Sequence, residues 1–384
     1  MQILAIEWLG TSLAERPFCV RLLRILTLNQ YWRSRMRACR GLTSLQIVAL
    51  AVAAIGCRSP MEVCTNGLMR VRVSPVNDNS VSPVSARILP GTRNSCNFRV
   101  ALIDIDGVLL NKNVQVLMTN GENAVSIFRE KLDAAAKDPR VVAVLLRINS
   151  PGGGVAASDM MRRDLLDFKH RKNIPIVACL MDVSAGGAYY IATAADRIVA
   201  HPTTITGGLG VILNLYNLQD TLAQFNVQSQ PIKAGERIDL GTPVKPLPPE
   251  SKAILQKIAD EFGARLQQTI TQTRQPHNIK DADLFDGRIF SASQALEIGL
   301  VDDIGYLDDS IAVAEQLAGV EGRTSVVMYR RDTDRALTPY DITPNLPVLN
   351  SIMPLSIPGM DRSQLPTYLY MWQPEPLLEK NGGT

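Results

Sequence analysis

The chain has 384 residues, of which 46% are hydrophobic and 20% are charged, an ordinary composition for a globular protein. Its formal net charge of +3 gives no strong attraction to nucleic acid, and no basic stretch is interleaved with aromatic residues. The histidines are far apart and no CxxC motif occurs, so the sequence predicts no metal site, no other cofactor and no nucleic-acid partner.

The first predicted element is a leader over residues 1–57. "RSRMRACR" is positively charged, and the apolar run 45–55 that follows spans about 17 Å as a helix, too short for a bilayer core of about 30 Å. This order is typical of a secretory signal, with Met36 as a possible true start. "AAIGC" resembles the lipobox of bacterial lipoproteins and implies lipidation of Cys57, although Ala54 stands where leucine is usual. A short buried helix is the alternative.

Residues 58–97 are rich in Ser, Pro, Asn and Arg, a composition that predicts a linker between the leader and the body. Cys64 and Cys96 could form a disulfide in an oxidising compartment, but the sequence does not fix their pairing. Cys179 lies in the apolar run "IPIVACLM" and is predicted to be a packed core thiol.

A globular domain is predicted over residues 98–323. The strand patterns "FRVALIDID", "VVAVLLRI", "IPIVACLM", "RIVAH" and "VILNLY" alternate with helix patterns such as "ENAVSIFREKLDAAAKD", "DMMRRDLLDFKHR" and "GAYYIATAA". This alternation predicts an α/β fold with a parallel sheet. The long pattern "SKAILQKIADEFGARLQQTITQTR" and two further helices around Gly305 extend it. Residues 324–384, which are punctuated by proline, are predicted to be a tail that is extended over a surface, engaged with a partner or disordered.

Two stretches of the body contain candidate catalytic residues. In "INSPGGGV" a buried strand leads into Gly152, Gly153 and Gly154, whose backbone amides could face a ligand oxygen. The phosphate-binding signature GxxxxGK[ST] is absent, so the turn is more consistent with an oxyanion hole. In "MDVSAGGAYY" Ser184 precedes a helix, where it could be a nucleophile or a helix N-cap.

Four stretches together resemble the bacterial signal peptide peptidase family: "INSPGGGV", "GAYYIATAADRIVAHPTTITGGLGVI", "IKAGERIDLGTP" and "FDGRIFSASQALEIGLVDDIG". The resemblance covers residues 99–319 in the same order. It implies the fold shared by Clp protease and the crotonases, with repeated ββα units around a parallel sheet and assembly into homo-oligomers. It also implies a membrane-associated peptidase with a serine nucleophile and a lysine base, whose pKa burial lowers. The oxyanion hole would be formed at Gly153 and Gly187.

The chain departs from this family at three catalytic positions. Alignment of the family pattern S-G-G-Y-Y-I-A places Gly186 where the nucleophile belongs. The pattern T-G-S-I-G-V places Gly208 at a serine that holds the lysine, and I-K-S-G-x-Y-K-D places Ile238 at the lysine itself. Glycine has no hydroxyl and isoleucine accepts no proton, so the sequence predicts that the dyad is lost.

Three functions remain open. The favoured hypothesis is a degenerate homologue at the extracytoplasmic face of the bacterial envelope. It would bind peptides or signal-peptide remnants, or act as a scaffold, and could modulate an active paralogue. The alternative is an active serine endopeptidase with Ser184 as nucleophile and Lys233, which matches a non-catalytic family lysine, as base. The third is a crotonase-like acyl transfer in which the turn 152–154 holds a thioester oxyanion.

Overall fold

The computed structural model describes residues 61–65, 69–73, 83–90, 97–113, 115–116, 119–120, 122–332, 334, 336–342 and 368–372. The predicted leader, with Met36 and Cys57, and the cysteine Cys96 lie outside these ranges. Lipidation and the disulfide therefore stay predictions. Within the described ranges, no helix has the length and apolar character needed to cross a membrane.

The chain divides into two compact units, Met1–Asn77 and Asp78–Thr384. In the first unit, β1 (Met61–Thr65) and β2 (Met69–Val73) form an antiparallel pair. The segment 58–97, predicted to be a linker, thus contains a pair of strands, and it also contains β3 (Ser85–Ile88) of the second unit.

The second unit is built on a mostly parallel sheet to which nine strands of the described residues contribute. They are β3 (Ser85–Ile88), β4 (Phe98–Asp106), β7 (Val141–Ser150), β9 (Ile176–Ala185), β10 (Arg197–Ala200), β11 (Ile205–Gly207), β12 (Ile289–Ser291), β13 (Asp303–Ile304) and β14 (Thr324–Arg330). The order is β12-β11-β9-β7-β4-β14-β3, and β10 pairs with β9 and β13. The pairs β11–β12 and β14–β3 are antiparallel.

Helices and four short strands complete the described unit. The helices are α1 (Ala124–Lys137), α2 (Val155–Lys172), α3 (Gly187–Ala192), α4 (Gln219–Gln224), α5 (Pro249–Arg274), α6 (Asp281–Leu284), α7 (Ala292–Glu297) and α8 (Leu307–Leu317). The short strands are β5 (Gln115–Val116), β6 (Thr119–Asn120), β8 (Gly152–Gly154) and β15 (Leu369–Met371). The predicted α/β class with a parallel sheet is confirmed.

The sheet is covered on both faces because the middle of each central strand is apolar, as in β4 and β7. In β4, Ala101 and Ile103 belong to the same core cluster as most buried apolar side chains of α1 and α2, among them Phe128 and Leu165. Their neighbours Val100 and Leu102 belong to a second cluster, which includes Leu307 of α8. Successive side chains of a strand point to opposite faces, so one apolar run supplies both cores.

Two sequence predictions about strands are wrong. "VILNLY", residues 211–216, forms no strand, and Ile212 alone makes an isolated bridge, with Leu369. Thr324–Arg330 was assigned to the tail, yet it is the fully buried strand β14, parallel to β4. The predicted boundary of the tail at residue 324 therefore lies too early in the chain. Little in the local sequence indicates β14, because this strand is held by pairing with a strand more than 200 residues earlier.

Buried charges lie at the carboxyl end of β4. Lys131 Nζ lies 2.6 Å from Asp104 Oδ1, with only 2% and 3% of the two side chains exposed. Arg147 and Arg330 lie 3.9 and 3.7 Å from Asp104 Oδ2. Burial alone would raise the pKa of Asp104, but Lys131, Arg330 and Arg147 together hold it far below its usual range. This carboxylate is therefore ionised in the folded protein.

Asp106, two residues later, is expected to make stability fall as pH rises. Burial raises the pKa of Asp106 to about 6, although Arg147 lies 3.1 Å away and acts in the opposite direction. Because the folded form keeps this proton while the unfolded chain loses it near pH 4, folding is penalised increasingly between about pH 4 and 6.

The Asp106→Asn variant tests this. We expect its free energy of unfolding, relative to the parent chain, to rise by about 1–3 kcal/mol between pH 4 and pH 7. Urea denaturation at pH 4, 5, 6 and 7 measures the difference. Glu321→Gln, at an exposed position, is the control. A difference that does not change with pH would contradict the prediction.

Candidate functional site

A sharp strand-to-helix turn at Gly186 forms the centre of the site. β9 ends at Ala185, and Gly186 is the N-cap of α3 with φ 53° and ψ −117°. Residues with a side chain rarely adopt this conformation. The turn is fixed because Gly186 N–H donates to Gly207 O at 2.9 Å and its carbonyl accepts from Tyr190 N–H at 2.9 Å. A strained turn of this kind is how α/β-hydrolases present a nucleophilic serine.

The glycine run beside this turn is a strand, β8, rather than the expected open turn. Gly154 N–H donates to Leu109 O at 2.8 Å, and Leu109 N–H donates to Gly152 O at 2.9 Å. Leu109 therefore occupies one edge of β8. The other edge of β8 can pair with a second extended segment, because the glycines leave room for its backbone to approach.

Residues 368–372 occupy that edge. We call the space between β8 and Ile212 the groove, and residues 368–372 the groove segment. β15 within it runs antiparallel to β8, with Tyr370 opposite Gly153. Val155 N–H donates to Tyr368 O at 3.1 Å, and Trp372 N–H donates to Pro151 O at 3.0 Å. On its far edge, Leu369 exchanges hydrogen bonds of 2.9 and 3.0 Å with Ile212. The segment is thus an added strand held between β8 and Ile212, the geometry in which sheets bind extended peptides.

The peptide bond between Tyr370 and Met371 lies where a side chain at Gly186 would be. A Cβ at Gly186 would lie 2.5 Å from Tyr370 O, 2.7 Å from Tyr370 C and 2.9 Å from Met371 N. Contacts under 3.0 Å are essentially never made by a real Cβ. Any other residue at position 186 would therefore have to displace this peptide bond.

Three other glycines lie against the groove segment. A Cβ would lie 2.1 Å from Tyr370 O at Gly152, 3.2 Å from the same oxygen at Gly187, and 2.9 Å from Trp372 Cβ at Gly208. Gly186 and Gly208, both substituted relative to the family pattern, thus lie against the same segment, residues 368–372. The Tyr370 carbonyl oxygen lies close to three of the four glycines, Gly152, Gly186 and Gly187.

Gly153 and Gly187, the predicted oxyanion-hole residues, both lie next to Tyr370. Gly153 is paired with Tyr370 across β8 and β15, and Gly187 approaches its carbonyl oxygen. The structure therefore brings both predicted residues close to Tyr370. Their role as an oxyanion hole stays a prediction.

Ser184 bonds within the sheet. It is fully buried in β9, its hydroxyl donates to Ile148 O at 2.9 Å, and its carbonyl accepts from Thr206 Oγ1 at 2.6 Å. The N-cap of α3 is Gly186 and has no side-chain cap, so the expectation that Ser184 caps this helix is wrong. A buried hydroxyl that donates to a strand carbonyl is a structural contact.

Lys233 and Ile238 lie in an exposed loop. Lys233 Nζ donates to Glu236 O at 2.9 Å and to Asp239 Oδ1 at 3.0 Å. Hydrogen bonds from Lys245 and Lys233 lower the pKa of Asp239 to about 2. Ile238 is 74% exposed. The structure does not bring Lys233 into contact with Ser184, and a catalytic pair of these two residues stays a prediction without a supporting contact.

The groove segment contains a strand that the sequence did not predict. "YLYMW" alternates aromatic and aliphatic residues, which is a strand pattern that could have been recognised. Its partner could not have been found in this way, because β8 lies more than 200 residues earlier and is made of glycines alone.

Known proteins are similar to this chain over its central part. The model of peptidase family S49 matches residues 169–321. MJ0651 of Methanocaldococcus jannaschii, named as a protease, is 33% identical over 206 residues, which are 54% of this chain and 65% of that protein. SppA of Enterococcus faecium, named as a signal peptide peptidase, is 30% identical over 238 residues, which are 62% of this chain and 68% of that protein.

A solved structure of a mutant 1510-N membrane-bound stomatin-specific protease, in complex with a substrate peptide, is 14% identical. The structural match covers 62% of the present chain and 94% of the solved protease chain, with a TM-score of 0.38. The chain spans about two thirds of the length of its two relatives. On the identity to SppA over that length and the S49 match, the chain belongs to the signal peptide peptidase family, peptidase family S49.

Proposed function

We propose that this chain is a peptide-binding member of the family that does not cleave peptides. One observation carries the proposal. The Tyr370–Met371 peptide bond lies against Gly186, at the strand-to-helix turn where the family pattern has its serine. This contact supports the proposal, because an extended backbone lies against the residue that aligns with the family's nucleophile, and that residue has no hydroxyl.

The chemistry of hydrolysis needs two groups that these positions do not supply. A serine peptidase uses a hydroxyl as nucleophile and a base that accepts its proton. Gly186 offers neither, and Ile238, at the place of the lysine, is an apolar side chain exposed in a loop. Loss of the dyad leaves peptide binding possible, since β8 and Ile212 hold the groove segment through backbone hydrogen bonds.

We further propose that the protein acts in an oligomer of its own kind or with an active paralogue. The loop that follows α4 exposes the apolar side chains of Phe225 (74%), Val227 (52%) and Ile232 (105%). An exposed apolar loop of this size favours contact with another surface. A second copy of the chain, or a paralogue of the same fold, would cover it.

The place of action proposed is the extracytoplasmic face of the bacterial envelope. The charged and apolar segments before Cys57, with the lipobox-like "AAIGC", support an exported and membrane-anchored protein. At that surface the peptides available for binding would include signal-peptide remnants. Metabolic labelling with a radioactive fatty acid tests the anchor, and a Cys57→Ala variant should lose the label.

A fluorophosphonate probe tests whether any peptidase chemistry remains. We expect no covalent labelling of the purified parent chain or of its Ser184→Ala variant, since the Ser184 hydroxyl is buried and donates to Ile148 O. Ser184→Ala should lower the free energy of unfolding by about 1 kcal/mol through the lost hydrogen bond. Ser310→Ala, at a buried serine of α8, is the matched control. Labelling of the parent chain that disappears in Ser184→Ala would show that Ser184 is a reactive nucleophile and would overturn the proposal of lost chemistry.

A further inference from the structure

The groove contacts the side chains of its occupant on both sides of the strand. Successive side chains of an extended segment point to opposite faces. Leu369 and Met371 pack with Val108 in one small apolar cluster. Tyr368 and Tyr370 reach the opposite way and bond to α5. The two sides of the occupant therefore meet different chemistry, aliphatic on one and aromatic on the other.

Each tyrosine hydroxyl donates to a main-chain carbonyl of α5. Tyr370 Oη lies 2.7 Å from Phe262 O, and Tyr368 Oη lies 2.9 Å from Leu255 O. The two acceptors are seven residues apart, two turns along one face of the helix. A helix carbonyl has a second lone pair beside the one that its own helical N–H uses, so it can accept from a hydroxyl. Phenylalanine in place of tyrosine would leave this lone pair without a donor.

Aromatic rings line the space that the tyrosines enter. The Tyr370 ring centroid lies 5.6 Å from that of Tyr190, and the Tyr368 ring meets Phe262 edge-on at 5.3 Å. The Tyr190 wall is itself fixed, because its hydroxyl donates to Asp159 at 2.9 Å and Arg265 donates to the same oxygen at 2.8 Å. Ring pairs of this kind add to the energy of area burial. The aromatic side of the groove thus provides both ring contacts and hydrogen-bond acceptors for tyrosine side chains.

We propose that the groove selects extended peptides with tyrosine at two alternate positions and an aliphatic residue between them. The groove segment of the chain itself is then a tethered ligand, which competes with such peptides for β8. This rests on the proposed peptide-binding function and adds the class of ligand. Because the tether keeps its own ligand at a high effective concentration, a free peptide binds well only when the groove segment is weakened.

Fluorescence anisotropy with a labelled heptapeptide TYLYMWQ, the sequence of residues 367–373, tests the proposal on the full-length chain. In the variant Tyr368→Ala/Tyr370→Ala we expect the dissociation constant of this peptide to fall at least about tenfold relative to the parent chain. A peptide with phenylalanine at both tyrosine positions should bind this variant about tenfold more weakly. Tyr340→Ala, at a tyrosine that is 58% exposed, is the control and should bind like the parent chain.

A second variant, Tyr368→Phe/Tyr370→Phe, keeps both rings and removes both hydroxyls. It keeps the test decisive if the alanine variant does not fold. It should also bind the peptide more tightly than the parent chain. Equal affinity for the tyrosine and phenylalanine peptides would overturn the selection of tyrosine while leaving peptide binding intact. Equal affinity of parent and variants would overturn the tethered competition. A folded alanine variant that binds neither peptide would overturn the proposed function itself.

Discussion

Gly186→Ser is expected to expel the groove segment rather than create a peptidase. The new Cβ would lie 2.5–2.9 Å from three backbone atoms of the Tyr370–Met371 peptide, and φ of 53° is strained for serine. We expect the amides of Leu369 and Trp372, which donate to Ile212 and Pro151, to exchange with deuterium at least about 100-fold faster, a loss of about 2.7 kcal/mol.

Gly319→Ser is the matched control. Gly319 has φ of 69°, but nothing lies within 4 Å of a Cβ there. It should lose about 1 kcal/mol of stability from backbone strain and leave exchange at Leu369 and Trp372 unchanged. Unchanged exchange at those two amides in Gly186→Ser would show that the groove segment does not lie against position 186.

Lys131→Met is expected to lower the free energy of unfolding by about 3–5 kcal/mol, because it removes a hydrogen-bonded cation from a buried carboxylate. Asp104 would keep Arg147 and Arg330 nearby, at 3.9 and 3.7 Å, but without the 2.6 Å contact that Lys131 supplies. Urea denaturation at pH 7 measures the loss.

The control for this variant is Lys137→Met, at an exposed position on the same helix, which should change stability by less than about 0.5 kcal/mol. A loss below about 1 kcal/mol in Lys131→Met would contradict the account of the buried charges. It would mean that the two arginines alone suffice to hold the Asp104 carboxylate.

Much of the fold could be predicted from the sequence because its central strands and covering helices have strong local patterns. β7 and β9 are long apolar runs, and α1 and α2 have helical periodicity. β14 and β15 were not predicted. Both are held by pairing with strands far away in the chain, β14 with β4 and β15 with β8. Such pairing leaves little trace in local composition.

The candidate site was predicted in part. The family pattern located Gly186 and Gly208, since a motif fixes positions relative to one another. It did not indicate that both glycines lie against the groove segment, residues 368–372. The direction of the Ser184 side chain could not be predicted either, because the sequence did not show that the strand β9 continues through Ser184 to Ala185.

The central claim is that a peptide seated against Gly186 stays uncut. Intact-mass spectrometry of the full-length chain, incubated at neutral pH with the peptide TYLYMWQ, tests it most directly. The account predicts that the masses of the chain and of the peptide remain unchanged. Loss of residues 371–384 from the chain, or cleavage of the peptide after its second tyrosine, would contradict it.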